Sequence, residues 1–244
     1  MSALAFMRAD ASTESITART PMERRARAAG ASFGRRDGWN VAVGYGDPDR
    51  ERQWIGQTVG FADRSSLAKL ELQAEPAVLG SVVAAASDDL ELKLGTASLA
   101  NGTWWCPVTP SRVLVLAESS VAGELRGTID DAVARAGGAA DPTITVLELT
   151  SALAGLTLAG PGANELLARF CAIDVRAAAM PVAAFRPGSV ARTPGYVLRE
   201  REDRLLLLVG WALGEYLWDV VADAAEHLGG GPVGADALEG GEHA

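Results

Sequence analysis

The chain has 244 residues, 48% of them hydrophobic and 22% charged, a composition that fills a real core and excludes a disordered or collagen-like polymer. A formal net charge of −9 is a poor balance for gripping nucleic acid. The longest strongly apolar run, Leu205–Leu213, has 9 residues against the roughly 20 that span a bilayer. The opening residues show no secretory leader, and two cysteines 65 positions apart make neither a disulfide framework nor a metal site. A soluble cytoplasmic protein is expected.

Residues 1–19 are polar and without periodicity, and read as a flexible N-terminus. Thr20-Pro21-Met22-Glu23 follows, with Thr at N-cap, Pro at N1 and Glu at N3 of a helix that Gly30 ends. A strand is expected over Trp39–Tyr45, and Asp47-Pro48 starts a second helix reaching about Thr58. Arg24, Arg25, Arg27, Arg35 and Arg36 form a basic cluster, read as a solvated helix face or a dock for an acidic partner. The charge is segregated: residues 1–69 carry 11 basic and 8 acidic groups, residues 70–244 carry 11 and 23.

The middle of the chain repeats itself. SSLAKLELQAEPA (Ser65–Ala77) lies over SALAGLTLAGPGA (Ser151–Ala163) at an offset of 86, and SRVLVLAESS (Ser111–Ser120) over DRLLLLVGWA (Asp203–Ala212) at 92. Each copy of the first pair alternates like a strand and runs into a helix that opens with Pro or Gly. Further strands are expected at Leu90–Leu94, Thr103–Cys106 and Arg112–Ala117, and again at Gly188–Arg192, Tyr196–Glu200 and Arg204–Val209. Long helices should close each half, Val121–Ala136 and Ala212–Leu228. Grouped antiparallel strands with helices on one face make this an α+β fold of duplicated halves related by a pseudo-two-fold. Residues 20–228 form one domain with repeats at about 60–140 and 147–228. Residues 229–244, Gly-rich and acidic, read as a flexible tail.

Gly160-Pro161-Gly162 sits where phosphate loops sit but lacks their spacing, and Pro161 removes a backbone donor. His227 and His243 lie near no serine elbow or cysteine, so triads and metal sites have little to build from. Cys106 and Cys171 read as core. Trp104 and Trp105 are successive strand residues, so one faces the core and the other the opposite side. The outward one is expected on an exposed apolar patch that a partner or a second copy covers.

Thr20-Pro21-Met22-Glu23, Arg36-Asp37-Gly38-Trp39 with Tyr45-Gly46, and Val59-Gly60-Phe61-Ala62-Asp63-Arg64-Ser65 resemble the opening of glycine-cleavage T-proteins, the folate-dependent aminomethyltransferases of one-carbon metabolism. Leu158–Ala163 with Leu166-Leu167, and Ala191-Arg192-Thr193-Pro194-Gly195-Tyr196, resemble second-half stretches of that family. Within it, GPGANELLARFCAIDV (Gly160–Val175), Pro187-Gly188, Arg204 and Tyr216-Leu217-Trp218 are most similar to the gamma subunit of heterotetrameric sarcosine oxidase. The resemblance implies a T-protein N-terminal-domain-like fold and a cofactor-binding role for Arg192 and Tyr196. Two departures stand against folate chemistry. The hairpin Asn101–Pro107 has no carboxylate where the family keeps its acid/base, and Leu206 stands where a glutamate clasps the pterin, although a gapless count reaches Asp203 instead.

The resemblance therefore implies a non-catalytic subunit without a cofactor of its own, joined to flavin-bearing subunits of a sarcosine-oxidase-type amine-demethylating complex. Alternatives are a tetrahydrofolate-dependent one-carbon transferase, with Asp63 or Asp203 as base, and a stand-alone folate- or small-molecule-binding regulator.

Overall fold

The computed structural model describes residues 17–136 and 143–240. Strands β4 (Gly60–Asp63) and β5 (Ala68–Gln73) follow one another in the chain but belong to different sheets, and so do their counterparts β9 (Thr145–Glu148) and β10 (Leu153–Ala159). β4 pairs antiparallel with β10, and β9 with β5, so each half gives its first strand to the sheet of the other. The two crossings use the same bonds. The Arg64 N–H donates to Gly155 O at 2.8 Å, and the Leu149 N–H to Lys69 O at 2.7 Å. The Ser65 hydroxyl accepts from Gly155 N at 3.2 Å, and the Thr150 hydroxyl from Lys69 N at 3.0 Å. Asp63 and Glu148 accept the amides two residues ahead, at 2.9 and 3.0 Å.

The first sheet continues through β6 (Ser98–Ala100), β7 (Thr103–Thr109) and β8 (Arg112–Ala117) in the order β6-β7-β8-β5-β9. The second repeats that order with β11 (Phe185–Val190), β12 (Thr193–Arg201) and β13 (Arg204–Gly210), as β11-β12-β13-β10-β4, and adds a short β14 (Gly231–Pro232). The duplication expected from the sequence thus recurs strand for strand. Helices α3 (Pro76–Ala86) and α4 (Ala122–Ala136) cover the outer face of the first sheet, burying Leu79, Val83 and Ile129 on Leu72, Val113 and Val115. α5 (Ala163–Ala168) and α6 (Gly214–Glu226) cover the second, burying Leu166, Leu217 and Val221 on Leu205, Leu207 and Val209. The inner faces pack on each other, Leu114 and Leu116 with Leu206 and Leu208. A strand covered on both sides is apolar at every position rather than at every second one, hence VLVLA in β8 and LLLLV in β13.

Several expectations are corrected. Leu90–Leu94 forms no strand ladder; Leu90 and Leu92 pack as loop residues on the α3–α4 core, after Asp88 and Asp89 turn the chain with positive φ. Gly188–Arg192 is displaced, because β11 ends at Val190 and the positive φ of Ala191 and Arg192 makes them the hairpin turn. Thr20 does not cap α1 (Glu23–Ala28), whose N-cap is Met22; the Thr20 hydroxyl goes to the Asp63 carboxylate instead. Gly30, at φ +88°, ends that helix as expected, and the Asp47 side chain caps α2 (Pro48–Gln57) by accepting from Arg50 N. Ala18–Arg19, placed by the sequence in a flexible N-terminus, is strand β1, paired with β3 (Trp39–Gly44), which also pairs with β2 (Ser32–Arg36); residues 1–16 lie outside the described residues. No described helix is long and apolar enough to cross a membrane.

The largest correction is the tail. Up to Gly240 it is folded: β14 joins β4, and α7 (Ala235–Gly240) buries Ala237 and Leu238 with Val233. A single buried carboxylate, Glu51, ties it down, accepting from Tyr45 N at 2.6 Å and Gly234 N at 2.8 Å. Glu51→Ala leaves both amides without their acceptor and should cost on the order of 2–3 kcal/mol. Urea melts should show that loss, and hydrogen exchange should show it concentrated at Val233–Leu238.

Candidate functional site

Two adjoining clefts open where the sheets meet, sharing Arg64, Glu118 and Arg204 in their walls. The smaller, about 320 Å³, lies between the β6–β7 hairpin of the first half and the β12–β13 hairpin of the second. Trp104 and Leu206 line it from opposite sheets, and Leu99, directly across from Trp104 in the ladder, stands half-exposed at its mouth. The larger cleft, about 610 Å³, is walled by Arg35 and Arg36 of β2, Asp63, Ser119 and Ser120, and by Leu238 and Glu239 of α7.

Glu200 reaches the smaller cleft through a β-bulge. β12 pairs Arg199 with Leu205 and Arg201 with Arg204, leaving Glu200 as the extra residue. A bulge re-aims a side chain that regular alternation would place elsewhere. The Glu200 carboxylate is nearly buried, 3.4 Å from the Arg204 guanidinium, and its inner oxygen makes no hydrogen bond.

Of the candidate site and interface residues Asp63, Arg192, Tyr196, Asp203, Trp104 and Trp105, only Asp63 and Trp104 line these clefts. Burial pushes the Asp63 carboxyl upward, opposed by the Thr20 and Ser65 hydrogen bonds and by the charge of Lys69. Asp203 sits exposed in the β12–β13 turn, where its carbonyl accepts the Gly160 amide at 2.9 Å. Arg192 is exposed at the β11–β12 turn, φ +63°. Tyr196 stacks on Phe185 with centroids 5.4 Å apart, and Arg112 of the first half donates to its hydroxyl. Neither Arg192 nor Tyr196 lines a cleft, and the structure does not bring the two together with Asp63.

Trp105, offered as an interface residue, is 1% exposed beneath α3 and α4. Trp104 faces the second sheet, so the face opposite the helices is not open as the one-layer reading expected. Glu200, Glu118 and the cleft position of Arg204 were missed; the one available signal was the charged run Arg199–Arg204 at a hairpin whose neighbours are all apolar. Among the described residues no group of three or more His, Cys, Asp or Glu could hold a metal ion.

Next to Asp63 lies Lys69, fully buried, its ammonium donating to Ser65 O and Leu67 O at 2.8 Å and to Thr150 O at 3.4 Å. Burial pushes its pKa down from 10.5 to about 7, helped by Arg64 and opposed by Asp63 and Glu148. A group that holds its proton less firmly folded than unfolded disfavours folding as pH falls from 10.5 to 7 and adds no further slope below. Lys69→Met should remove that contribution, so wild-type stability should rise more steeply between pH 7 and 10 than that of the variant. Urea midpoints across this window measure it.

The family model of the GCVT N-terminal domain matches residues 22–240. A search of curated protein sequences returned no match. Among solved structures, glycine cleavage system aminomethyltransferase T from Bartonella henselae aligns with a TM-score of 0.72 at 18% identity, over 90% of this chain and 60% of that one. Heterotetrameric sarcosine oxidase from Corynebacterium sp. U-96, in complex with pyrrole 2-carboxylate, aligns with a TM-score of 0.65 at 21% identity, over 86% of this chain and 96% of the matched chain. At these identities the likeness is one of fold. The chain spans 60% of the length of the aminomethyltransferase.

Proposed function

The chain belongs to the GCVT N-terminal-domain family, and from that premise we propose that it is a non-catalytic subunit of a flavin-dependent, sarcosine-oxidase-type complex that demethylates a secondary or tertiary amine. The lining of the smaller cleft carries this reading. Its β6–β7 side presents Leu99, Gly102 and Trp104, and its β13 strand presents Leu206; the two carboxylates that do line it, Glu200 and Glu118, are each paired with an arginine, Arg204 and Arg64. General acid–base work needs such a group unengaged and within hydrogen-bond reach of the reacting atom. The flavin and the amine chemistry would reside on partner subunits in the cytoplasm, and this chain would contribute fold and contact surface.

A second reading, a tetrahydrofolate-dependent one-carbon transferase, gains from the bulge that turns Glu200 into the cleft beside Trp104. A carboxylate next to an aromatic face suits a flat heterocycle bearing N–H donors. If tetrahydrofolate binds, Glu200 and Trp104 would hold its ring, and the group would supply the one-carbon acceptor.

Titration calorimetry separates the two. The subunit reading expects no tetrahydrofolate binding tighter than about millimolar, near −4 kcal/mol. A micromolar Kd that weakens at least tenfold in Glu200→Gln would overturn the subunit reading and favour a folate-binding one in its place. Gentle purification from the source cell should recover the chain in fixed stoichiometry with a flavoprotein, and recovery of the chain alone would count against a subunit.

A further inference from the structure

The ion pairs of this molecule differ in which partner is buried, and most of those on the surface leave both partners well exposed. At Glu71 and Glu23 the acid is the buried partner: Glu71 is 4% exposed against 38% for Arg112, and Glu23 7% against 54% for Arg27. Around the larger cleft the order reverses. Arg64 is 15% exposed and its partner Glu118 64%, while Arg36 is 33% exposed and its partners Asp236 and Glu239 65% and 60%. There the guanidinium is the fixed, partly desolvated group and the carboxylates are side chains standing in solvent.

An exposed carboxylate contributes little to such a pair, because water and salt compete for both ends. A planar guanidinium held in a cleft favours a bidentate oxyanion, and a ligand that stays desolvated there does better than a solvated side chain. Two such guanidinium groups, Arg36 and Arg64, face one 610 Å³ space edged by Ser66 and Ser120. The other acids of that wall are engaged. Asp37 accepts the Ser119 hydroxyl at 3.0 Å, and Asp63 accepts the Ser65 amide at 2.9 Å.

We propose that this cleft is a binding site for a small dianion with an oxyanion group at each end, a dicarboxylate or a phosphorylated compound, which displaces Glu118 from Arg64 and the α7 carboxylates from Arg36. The exposed acids then serve as placeholders that keep the arginines oriented while the cleft is empty of ligand. This site adjoins the Trp104–Glu200 cleft, sharing Arg64, Glu118 and Arg204 with it, and does not depend on whether the chain is a subunit or a transferase.

Calorimetry on the full chain at low ionic strength, with pyrophosphate and glutarate as separate probes, tests the site and distinguishes a phosphate ligand from a carboxylate one. Saturable one-to-one binding of at least one probe is expected. Arg64→Gln should weaken it tenfold or more, with Arg36→Gln as the second variant should the first not fold. Glu118→Gln, which removes the placeholder, should tighten it several-fold. Arg24→Gln, the same charge change on the exposed face of α1, should leave it unchanged. No saturable binding of either probe overturns the proposal. So does equal weakening by Arg24→Gln, which would mean attraction by net charge alone, or weaker binding in Glu118→Gln, which would make that carboxylate part of the site's frame.

Discussion

The reciprocal crossing at Ser65 and Thr150 is the constraint on which the rest of the structure depends. Each hydroxyl accepts the amide of a strand from the opposite repeat, and the adjoining ladders, β4 on β10 and β9 on β5, lie wholly between repeats. Neither half can leave without stripping a strand from the other, and an unpaired buried ladder is costly because each lost amide and carbonyl must be satisfied elsewhere. The crossing also sets the layering. With the two sheets joined at a common seam, their inner faces meet and their helices are forced outward. The clefts open at the edge of that seam, where hairpins from both halves come together.

The pseudo-symmetry is broken where it is most constrained. Gly155 and Lys69 occupy equivalent places at the two crossings, each accepting an amide at its carbonyl and donating to a hydroxyl. At Gly155 a Cβ would stand 2.9 Å from the Arg64 carbonyl oxygen, so that crossing admits no side chain. The other crossing has room, and there a lysine gathers three carbonyls, two from its own loop and one from Thr150 of the other repeat. One crossing is closed by backbone contact and the Ser65 hydroxyl, the other by a buried amine as well, which places the titratable part of the core beside Asp63 and the cleft it lines.

The repeat was legible because its strands are covered on both faces, which writes uninterrupted apolar runs such as LLLLV at a recognisable offset. The exchange was not, because an apolar run reports that a strand is buried and says nothing of its neighbours. The tail misled for a specific reason. Gly230, Gly231 and Gly234 read as a loose segment, yet a Cβ at Gly234 would lie 2.1 Å from the Val43 backbone and one at Gly231 2.6 Å from the Trp54 ring. Here glycine marks close approach, the other use of a missing side chain. The candidate site was the least legible part. Arg192 and Tyr196 fit a motif but lie at a turn and in the inter-sheet core, whereas Glu200 is aimed by a one-residue bulge that alternation cannot foretell.

The segregation of charge along the chain, basic at the start and acidic at the end, suggested a lopsided molecule. In the fold it is an internal pairing scheme. Arg24 and Arg25 of α1 meet Glu215 and Asp219 of α6, and Arg36 of β2 meets Asp236 and Glu239 of α7. These pairs are exposed, so they orient the two ends of the described chain more than they hold them. The holding is done by buried groups: the apolar contacts of Val233, Ala237 and Leu238, and the Glu51 carboxylate between Tyr45 and Gly234. Surface charge therefore selects which elements meet, burial decides that they stay, and at the larger cleft the exposed members of the pairs remain free to exchange.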